Sequence, residues 1–140
     1  MPAPVNLFKK ALANGNTLFG CWMSIGESST AEIMGCAGFD WLLIDSEHAP
    51  NDVRSIRDQL MALERSDSQA IVRVPFGETW IIKQMLDLGA QTLLVPIVET
   101  GEQARELVKA CHYPPKGIRG VGYSSSRAGG FGQYENYGPT

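Results

Sequence analysis

The sequence predicts an α/β protein built on a parallel sheet. Short apolar runs, typical of buried strands, alternate with segments whose apolar residues have helical spacing, and the alternation occurs four times. Strands joined by helices form right-handed βαβ units and hence a parallel sheet. The repeat of roughly 25–30 residues is that of a TIM-type (β/α)8 barrel, which typically needs about 250 residues. We therefore expect residues 1–140 to form a single domain, the N-terminal four β/α units or half of such a barrel.

Four strands are predicted from apolar runs that end at polar or turn-forming residues. They are Leu18–Met23, Phe39–Asp45, Ala70–Val74 and Thr92–Val95. Five helices are predicted from apolar residues that recur every three or four positions. They span Asn6–Asn14, Ser29 to about Ala37, Asn51 to about Arg65, Thr79–Leu88 and Thr100 to about His112.

Capping signals support the starts of three of these helices. Ser29 with Glu32, and Thr100 with Gln103, have the spacing of a capping box. Asn51 is expected to cap the third helix, because asparagine is favoured at that position.

Glycines and prolines indicate where the helices end. The glycines that follow three of them are Gly15, Gly38 and Gly89. Pro114 and Pro115 forbid continuation of the fifth helix. The remaining residues, Tyr113–Thr140, are rich in Gly, Ser and Tyr and are predicted to form a long C-terminal loop.

The composition is globular and excludes several classes of partner. Apolar residues make up 44% and charged residues 19%, and the net charge of −3 without a basic block argues against nucleic acid. No apolar run approaches the roughly 20 residues of a membrane span. The N-terminal residues do not have the pattern of a secretory signal, and we expect a cytoplasmic protein. Its cysteines match neither a disulfide scaffold nor a zinc site, so reduced, mostly buried thiols are expected at Cys21, Cys36 and Cys111.

Chemically competent side chains follow three of the predicted strands. Asp45 ends the second strand and Glu47 and His48 follow it, Arg73 lies at the end of the third and Glu99 follows the fourth. Because parallel strands end at one rim, these groups are expected to converge there. Histidine suits proton transfer near neutral pH, and a neighbouring carboxylate can fix its tautomer. An arginine fork grips a carboxylate at two points. The set suits a small oxo acid and proton abstraction beside a carbonyl.

Each of these residues also has a structural interpretation. A histidine near a strand end is often structural, and an aspartate after a strand often closes the next turn. Arg73 could form an ion pair with Asp45 or Glu47, and Glu99 could be a solvated residue before a helix. A further glycine-rich loop does not fit the dinucleotide-binding fingerprint, since no strand immediately precedes it. Its glycines are Gly117, Gly120 and Gly122.

Four segments give the chain a family resemblance, in an order and spacing that cover nearly its whole length. They are AGFDWLLIDSEHAPN (37–51), VRVP (72–75), IKQMLDLGAQTLLVP (82–96) and YPPKGIRGVG (113–122). With these segments the chain resembles the HpcH/HpaI aldolase family, the class II pyruvate aldolases. The resemblance implies a TIM-type barrel that binds pyruvate and a divalent metal, Mg²⁺, Mn²⁺ or Co²⁺. It also implies cleavage or formation of 4-hydroxy-2-oxo acids through a pyruvate enolate and an aldehyde.

The resemblance assigns roles to five side chains of this sequence. His48 would be the general base, working through metal-bound water, and Asp87 would be its partner, reaching across a subunit interface. Arg73 would hold the oxygens of pyruvate and stabilise the enolate, while Asp45 and Glu47 would orient His48 and the metal-bound water. The family's metal ligands, a Glu after strand five and an Asp after strand six, would lie beyond residue 140. Relatives of this type assemble as homotrimers and hexamers.

Two other functions remain open at this point. A half barrel has open strand edges, so the chain could be a non-catalytic, self-associating protein. It could also be a related acyl-CoA lyase, although no cationic groove for a nucleotide phosphate is evident. Because the expected metal ligands lie outside it, the 140-residue chain alone is expected to show little or no aldolase activity.

Overall fold

The computed structural model describes residues 1–139 and contains one four-stranded sheet. All strand pairs are parallel and the spatial order follows the chain, β1-β2-β3-β4. The strands are β1 (Gly20–Met23), β2 (Trp41–Asp45), β3 (Gln69–Arg73) and β4 (Leu93–Leu94). The predicted α/β class and the four successive β/α units, half of a TIM-type barrel, are confirmed.

Five α-helices connect or flank the strands, as the apolar spacing predicts. They are α1 (Leu7–Ala13), α2 (Ser28–Gly35), α3 (Val53–Ala62), α4 (Thr79–Asp87) and α5 (Gly101–Cys111). The end of α3 tightens into a 3-10 turn, Leu63–Arg65. The predicted stop after α4 is confirmed at Gly89, whose φ of 102° is strained for a residue with a Cβ.

The two faces of the sheet carry different kinds of side chain. Leu42 and Ile44 of β2 and Val72 of β3 are fully buried and pack against side chains of α2, α3 and α4 in one apolar core. Side chains alternate along a strand, so Asp45 and Arg73 lie on the opposite face. The helices thus cover one face, and the other face carries polar groups where the strands end.

Two predicted caps are wrong. Helix α2 begins at Ser28 with Glu27 as its cap and no side-chain capping bond, so Ser29 and Glu32 form no capping box. Helix α3 is capped by Asp52 rather than Asn51, because Asp52 accepts hydrogen bonds from the backbone of the first turn and forms a capping box with Ser55. The predicted box of Thr100 and Gln103 at α5 is present.

The predicted C-terminal loop contains a short helical segment. A 3-10 segment, Arg127–Gly132, interrupts it, with a kink at Gly130 and Phe131 where both φ angles are positive. Arg127 fixes this segment by donating to the Leu88 carbonyl at 3.2 Å and pairing with Glu64 at 3.0 Å. These contacts join residues that are far apart in the sequence, so local spacing does not reveal them. The sequence pattern therefore predicts a loop for this segment.

The structure can be compared with the predictions for the cysteines and for membrane-spanning segments. Among residues 1–139, all three cysteines are free, but Cys36 is exposed and the other two, Cys21 and Cys111, are half-buried, so the expectation of mostly buried thiols is wrong. No helix in this range has both the length and the apolar character to cross a membrane.

Candidate active site

Asp45 and Arg73 form the centre of the site. They occupy paired positions at the ends of β2 and β3. The guanidinium donates two hydrogen bonds to the carboxylate, from Nε to Oδ1 at 2.8 Å and from Nη2 to Oδ2 at 2.7 Å. This is the two-point geometry that makes arginine–carboxylate pairs strong and directional. Asp45 is 3% exposed, so the pair is largely shielded from water.

Two further side chains hold the guanidinium of Arg73. Glu47 Oε2 lies 2.8 Å from Arg73 Nη1. The ring of Trp22, on the neighbouring strand β1, lies 4.5 Å from Arg73 Cζ in a cation–π contact. Arg73 is therefore bounded by two carboxylates and one aromatic ring, which leaves it little rotational freedom.

The pair also changes proton affinities. The hydrogen bonds from Arg73 lower the pKa of Asp45 to about 2, against the opposing effect of burial. The backbone N–H groups of Glu47 and His48 bind the same carboxylate and lower its pKa further. In turn, the hydrogen bonds to Asp45 raise the pKa of Arg73. The centre is thus a permanently charged pair at neutral pH.

The segment after β2 folds back around Asp45. Its Oδ1 accepts from the backbone N–H of Glu47 at 3.0 Å and of His48 at 3.3 Å, so Asp45 closes this turn as well as binding Arg73. Asn51 Nδ2 donates to the Asp45 carbonyl at 2.7 Å. Gln59, buried on α3, donates to Asn51 Oδ1 at 2.6 Å. Asn51 therefore ties the turn to α3 instead of capping the helix.

His48 stands at the edge of this cluster. Its side chain is 73% exposed, and its Nε2 lies 3.5 Å from Glu47 Oε1. The imidazole can therefore meet a solute from outside while it stays beside the Arg73 cluster. The structure brings together four of the groups predicted at the ends of β2 and β3, namely Asp45, Glu47, His48 and Arg73.

Glu99 is not part of this cluster. It is exposed in the loop before α5, where its backbone N–H donates to Gln103 Oε1 at 2.8 Å. No hydrogen bond or ion pair joins it to the Arg73 cluster within residues 1–139, so the expected convergence fails at this residue. The strand β4 is only two residues long, and four loop residues separate it from Glu99.

The glycine-rich loop after α5 is structural where it meets that helix. A Cβ on Gly117 would lie 2.2 Å from the Lys109 carbonyl oxygen, so only glycine fits. The backbone of Ile118 and Arg119 then donates to the carbonyls of Lys109 and His112, both at 2.9 Å. These contacts explain Gly117 without any nucleotide.

Asp87 lies far along α4 from the strand ends that carry His48. It is the last residue of the helix, and in a β/α unit that end returns to the amino edge of the sheet. Within residues 1–139 its partner is Arg119, whose Nη2 lies 2.6 Å from Asp87 Oδ1, and no contact joins it to His48. An Asp87–His48 pair would therefore need a second copy of the chain.

The residues present do not by themselves fit a divalent cation. Among residues 1–139, no three His, Cys, Asp or Glu side chains come together in a metal-binding arrangement. Arg73 engages both oxygens of Asp45 and one oxygen of Glu47. A metal would need ligands other than this set.

Sequence reasoning missed two contributors, Trp22 and Arg119. Trp22 precedes the end of an apolar strand and is indistinguishable by pattern from a core aromatic residue. In the sheet Trp22 pairs with Leu43, which places its side chain on the face that carries Arg73. An alignment of the strands is the signal that could have identified it. Arg119 lies in a loop, and no spacing rule connects it to Asp87.

The fold and the cluster are those of a β/α-barrel protein with an acid–guanidinium–imidazole site at the carboxyl edge of its strands. The chain belongs to the HpcH/HpaI aldolase/citrate lyase family, whose sequence profile matches residues 18–136.

Curated and solved relatives agree with this membership. A hydroxypyruvate/pyruvate aldolase of Roseobacter denitrificans is 76% identical over 140 residues, which cover 100% of this chain and 55% of that protein. A 4-hydroxy-2-oxovalerate aldolase of Rhodococcus jostii is 54% identical over 138 residues, covering 98% and 53%. The crystal structure of an HpcH/HpaI aldolase/citrate lyase family protein from Burkholderia cenocepacia matches with a TM-score of 0.91 at 41% identity, covering 95% of this chain and 54% of that one. The chain spans about half the length of the curated relatives it matches.

Proposed function

We propose that residues 1–140 form the N-terminal, proton-handling portion of a class II pyruvate aldolase. The complete enzyme would be a carbon–carbon lyase that cleaves or forms 4-hydroxy-2-oxo acids through a pyruvate enolate and an aldehyde. Family membership and relatives named for hydroxypyruvate, pyruvate and 4-hydroxy-2-oxovalerate support this class of substrate.

The observation that carries the proposal is the fixed guanidinium of Arg73. Arginine has five N–H donors. Arg73 donates from Nε and Nη2 to Asp45, and its Nη1 lies 2.8 Å from Glu47 Oε2 in an ion pair. At least one N–H therefore remains on each terminal nitrogen. Two donors fixed in one plane suit the adjacent oxygens of a 2-oxo acid, and they also suit the negative charge that develops on an enolate oxygen.

His48 is the proposed base. In the forward direction a proton leaves the methyl carbon of pyruvate and reaches the imidazole through an intervening water. The C–H electron pair becomes the C=C bond of the enolate, and the carbonyl π pair moves to oxygen. The enolate carbon then attacks the aldehyde, and cleavage reverses these steps. An exposed imidazole beside a fixed guanidinium suits this task, because the base and the group that stabilises the enolate must act on one small molecule.

Asp87 is proposed to support His48 from a second copy of the chain. The two residues lie at opposite edges of the sheet, so the contact requires an oligomer, and we expect a homotrimer or hexamer in the cytoplasm. Asp87 borders a surface groove with exposed Trp80 and with Lys83, and a loop such as that carrying His48 could enter it.

Metal dependence is part of the proposal. Asp45 and Glu47 together outweigh the charge of Arg73, so an anionic oxo acid at this site needs a further positive group. Mg²⁺, Mn²⁺ or Co²⁺ would supply it as a Lewis acid, with protein ligands expected beyond residue 140 from the resemblance.

A pyruvate-release assay tests the proposed function. The protein, expressed at the full length of its gene, is incubated with 4-hydroxy-2-oxo acids and Mg²⁺, Mn²⁺ or Co²⁺, and pyruvate is measured by coupled reduction to lactate. Metal-dependent release that His48→Ala abolishes supports the proposal. No release with any of the three metals, or release that persists in His48→Ala, contradicts it.

The open sheet edges favour a second function, self-association without catalysis. Strands β1 and β4 each have one neighbour in the described sheet, and exposed apolar side chains accompany them, including Phe19, Leu94 and Ile97. Such edges pair readily with other chains. A stable oligomer that binds no pyruvate in calorimetric titration, with or without metal, would favour this function.

A further inference from the structure

Arg119 is a buried arginine that packs against two aromatic rings. It is 5% exposed, and its Cζ lies 4.5 Å from the ring centroid of Tyr113 and 6.0 Å from that of Tyr137. Its Nη1 also lies 3.5 Å from the Tyr137 hydroxyl. A planar guanidinium in this position is fixed in orientation as well as in place.

Among the described residues, the only carboxylate that Arg119 contacts is that of Asp87. Nη2 lies 2.6 Å from Asp87 Oδ1, while Arg119 Nε and the Tyr113 hydroxyl are buried without a hydrogen-bond partner. Burial disfavours the charged form of Arg119 and acts to lower its pKa, yet the hydrogen bond to Asp87 keeps the pKa above its usual value. A buried ion pair with an unsatisfied donor adds little net stability, so stability alone does not account for a charge at this position.

The ion pair with Arg119 occupies only one of the two carboxylate oxygens of Asp87. Its side chain is 28% exposed, and only Oδ1 takes a hydrogen bond from any residue in the range 1–139. Arg119 therefore holds one oxygen of the carboxylate from the interior side. The other oxygen, Oδ2, stays free to accept from a group that arrives at the surface.

We propose that Arg119 is a positioning residue of the aldolase reaction. It fixes Asp87 so that Oδ2 accepts a hydrogen bond from the imidazole of His48 in a second copy, and it touches no substrate itself. The inference rests on the proposed function, in which Asp87 supports the base. Its effect therefore falls on proton abstraction from pyruvate and not on the binding of pyruvate, which involves Arg73.

A double-mutant cycle tests this role in the full-length protein with Mg²⁺. The readouts are the rate at which the methyl group of pyruvate takes up deuterium from D₂O, measured by mass spectrometry, and the KM for pyruvate in the same reaction. We expect Arg119→Met and Asp87→Asn each to slow exchange roughly 10- to 100-fold, the loss expected when a reacting group is misplaced. The KM should change less than about twofold, because that binding does not involve either residue.

The variant that combines both substitutions distinguishes a positioning role of Arg119 from a structural one. If Arg119 acts through Asp87, the double variant should be no slower than Asp87→Asn alone. Arg119→Lys, which keeps a charge but not the planar fork, should lie between the wild type and Arg119→Met. Arg105→Met is the matched control, because Arg105 makes a comparable 2.7 Å pair with Glu102 on the exposed face of α5, and it should leave exchange unchanged.

Several results would overturn the inference. Multiplied losses in the double variant would show that Arg119 acts independently of Asp87, and a raised KM with an unchanged exchange rate would place it at the substrate instead. Thermal unfolding checks each variant, and if Arg119→Met does not fold, the cycle of Arg119→Lys with Asp87→Asn gives the same test. A wild type without any exchange would refute the proposed function itself. Exchange that falls in Asp87→Asn but not in the Arg119 variants refutes only the inference.

Discussion

Asp45 closes its own turn and holds Arg73 with the same carboxylate. Its Oδ1 accepts the backbone N–H groups of Glu47 and His48 as well as Arg73 Nε, and its Oδ2 accepts Arg73 Nη2. The position of the His48 backbone is therefore coupled to the position of the Arg73 guanidinium. A change at Asp45 is expected to disturb both at once.

Stability should fall in acid because of Asp45. Its pKa is lowered to about 2 in the folded state, whereas the unfolded carboxyl titrates near its usual value of about 4. The folded state therefore binds fewer protons than the unfolded state between these values. The stabilisation of about 2 kcal/mol is complete above about pH 5 and is lost as the pH falls towards about 2. Urea unfolding at a series of pH values measures it.

Asp45→Asn is the variant that isolates this effect. It should lower the free energy of unfolding at neutral pH by about 3 kcal/mol, because Arg73 loses its main buried counterion. It should also flatten the acid dependence of stability. Asp58→Asn is a suitable control, since Asp58 pairs with Arg57 on the exposed face of α3, and surface pairs contribute less than about 1 kcal/mol. An unchanged acid slope in Asp45→Asn would contradict the assignment.

The sequence predicts this centre well and its surroundings less well. Asp45, Glu47, His48 and Arg73 are found together because strand ends in a parallel sheet share one edge, a rule that needs only the order of strands. Asn51 is predicted as a cap, yet it binds the Asp45 carbonyl, Ser55 and Gln59. Local spacing identifies Asn51 as a hydrogen-bonding residue but not its partners, because joining Asp45 to residues of α3 depends on how α3 packs on the sheet.

Arg73→Lys should separate charge from geometry. Lysine keeps the positive charge but cannot donate in one plane to Asp45, Glu47 and a substrate at the same time. We expect kcat/KM for pyruvate formation to fall roughly 100-fold, about 3 kcal/mol of lost transition-state stabilisation. Circular dichroism should show that the variant is folded. Activity within about twofold of the wild type would mean that the fork geometry is irrelevant.

His48→Ala should affect activity and not stability. The side chain is 73% exposed and has no short hydrogen bond, so the free energy of unfolding should change by less than about 0.5 kcal/mol. Loss of a general base should lower kcat roughly 100- to 10,000-fold. His112→Ala is the matched control, as His112 is the other of the two histidines and is also exposed. Equal losses in both variants would remove the special role of His48.

Asn51→Ala should loosen the turn that carries His48. The Asp45 carbonyl would lose its 2.7 Å donor, and the buried amide of Gln59 would lose one of its two acceptors and keep the Ser55 carbonyl. We expect a loss of about 1–3 kcal/mol in the free energy of unfolding, measured in urea, because buried hydrogen bonds are lost and not replaced. Asn14→Ala, at the exposed end of α1, should change stability by less than about 0.5 kcal/mol. Similar values for the two variants would indicate that the Asn51 network is not formed.

The limits of prediction at Asp87 and Arg119 have a physical cause. Asp87 ends a helix, where a carboxylate has no favourable interaction with the helix dipole, and nothing within residues 1–139 brings it near His48. Its proposed role rests only on the resemblance, and its partner Arg119 is 32 positions away in a loop. Contacts of this kind are decided by tertiary packing and by assembly, neither of which is encoded in local periodicity.

Deuterium exchange into the methyl group of pyruvate tests the central claim most directly, because it reports proton abstraction before any aldehyde takes part. The full-length protein with Mg²⁺ in D₂O should exchange these protons. His48→Ala should exchange at a small fraction of that rate while still binding pyruvate in calorimetric titration, and His112→Ala should match the wild type. Exchange in His48→Ala at the wild-type rate would contradict the account.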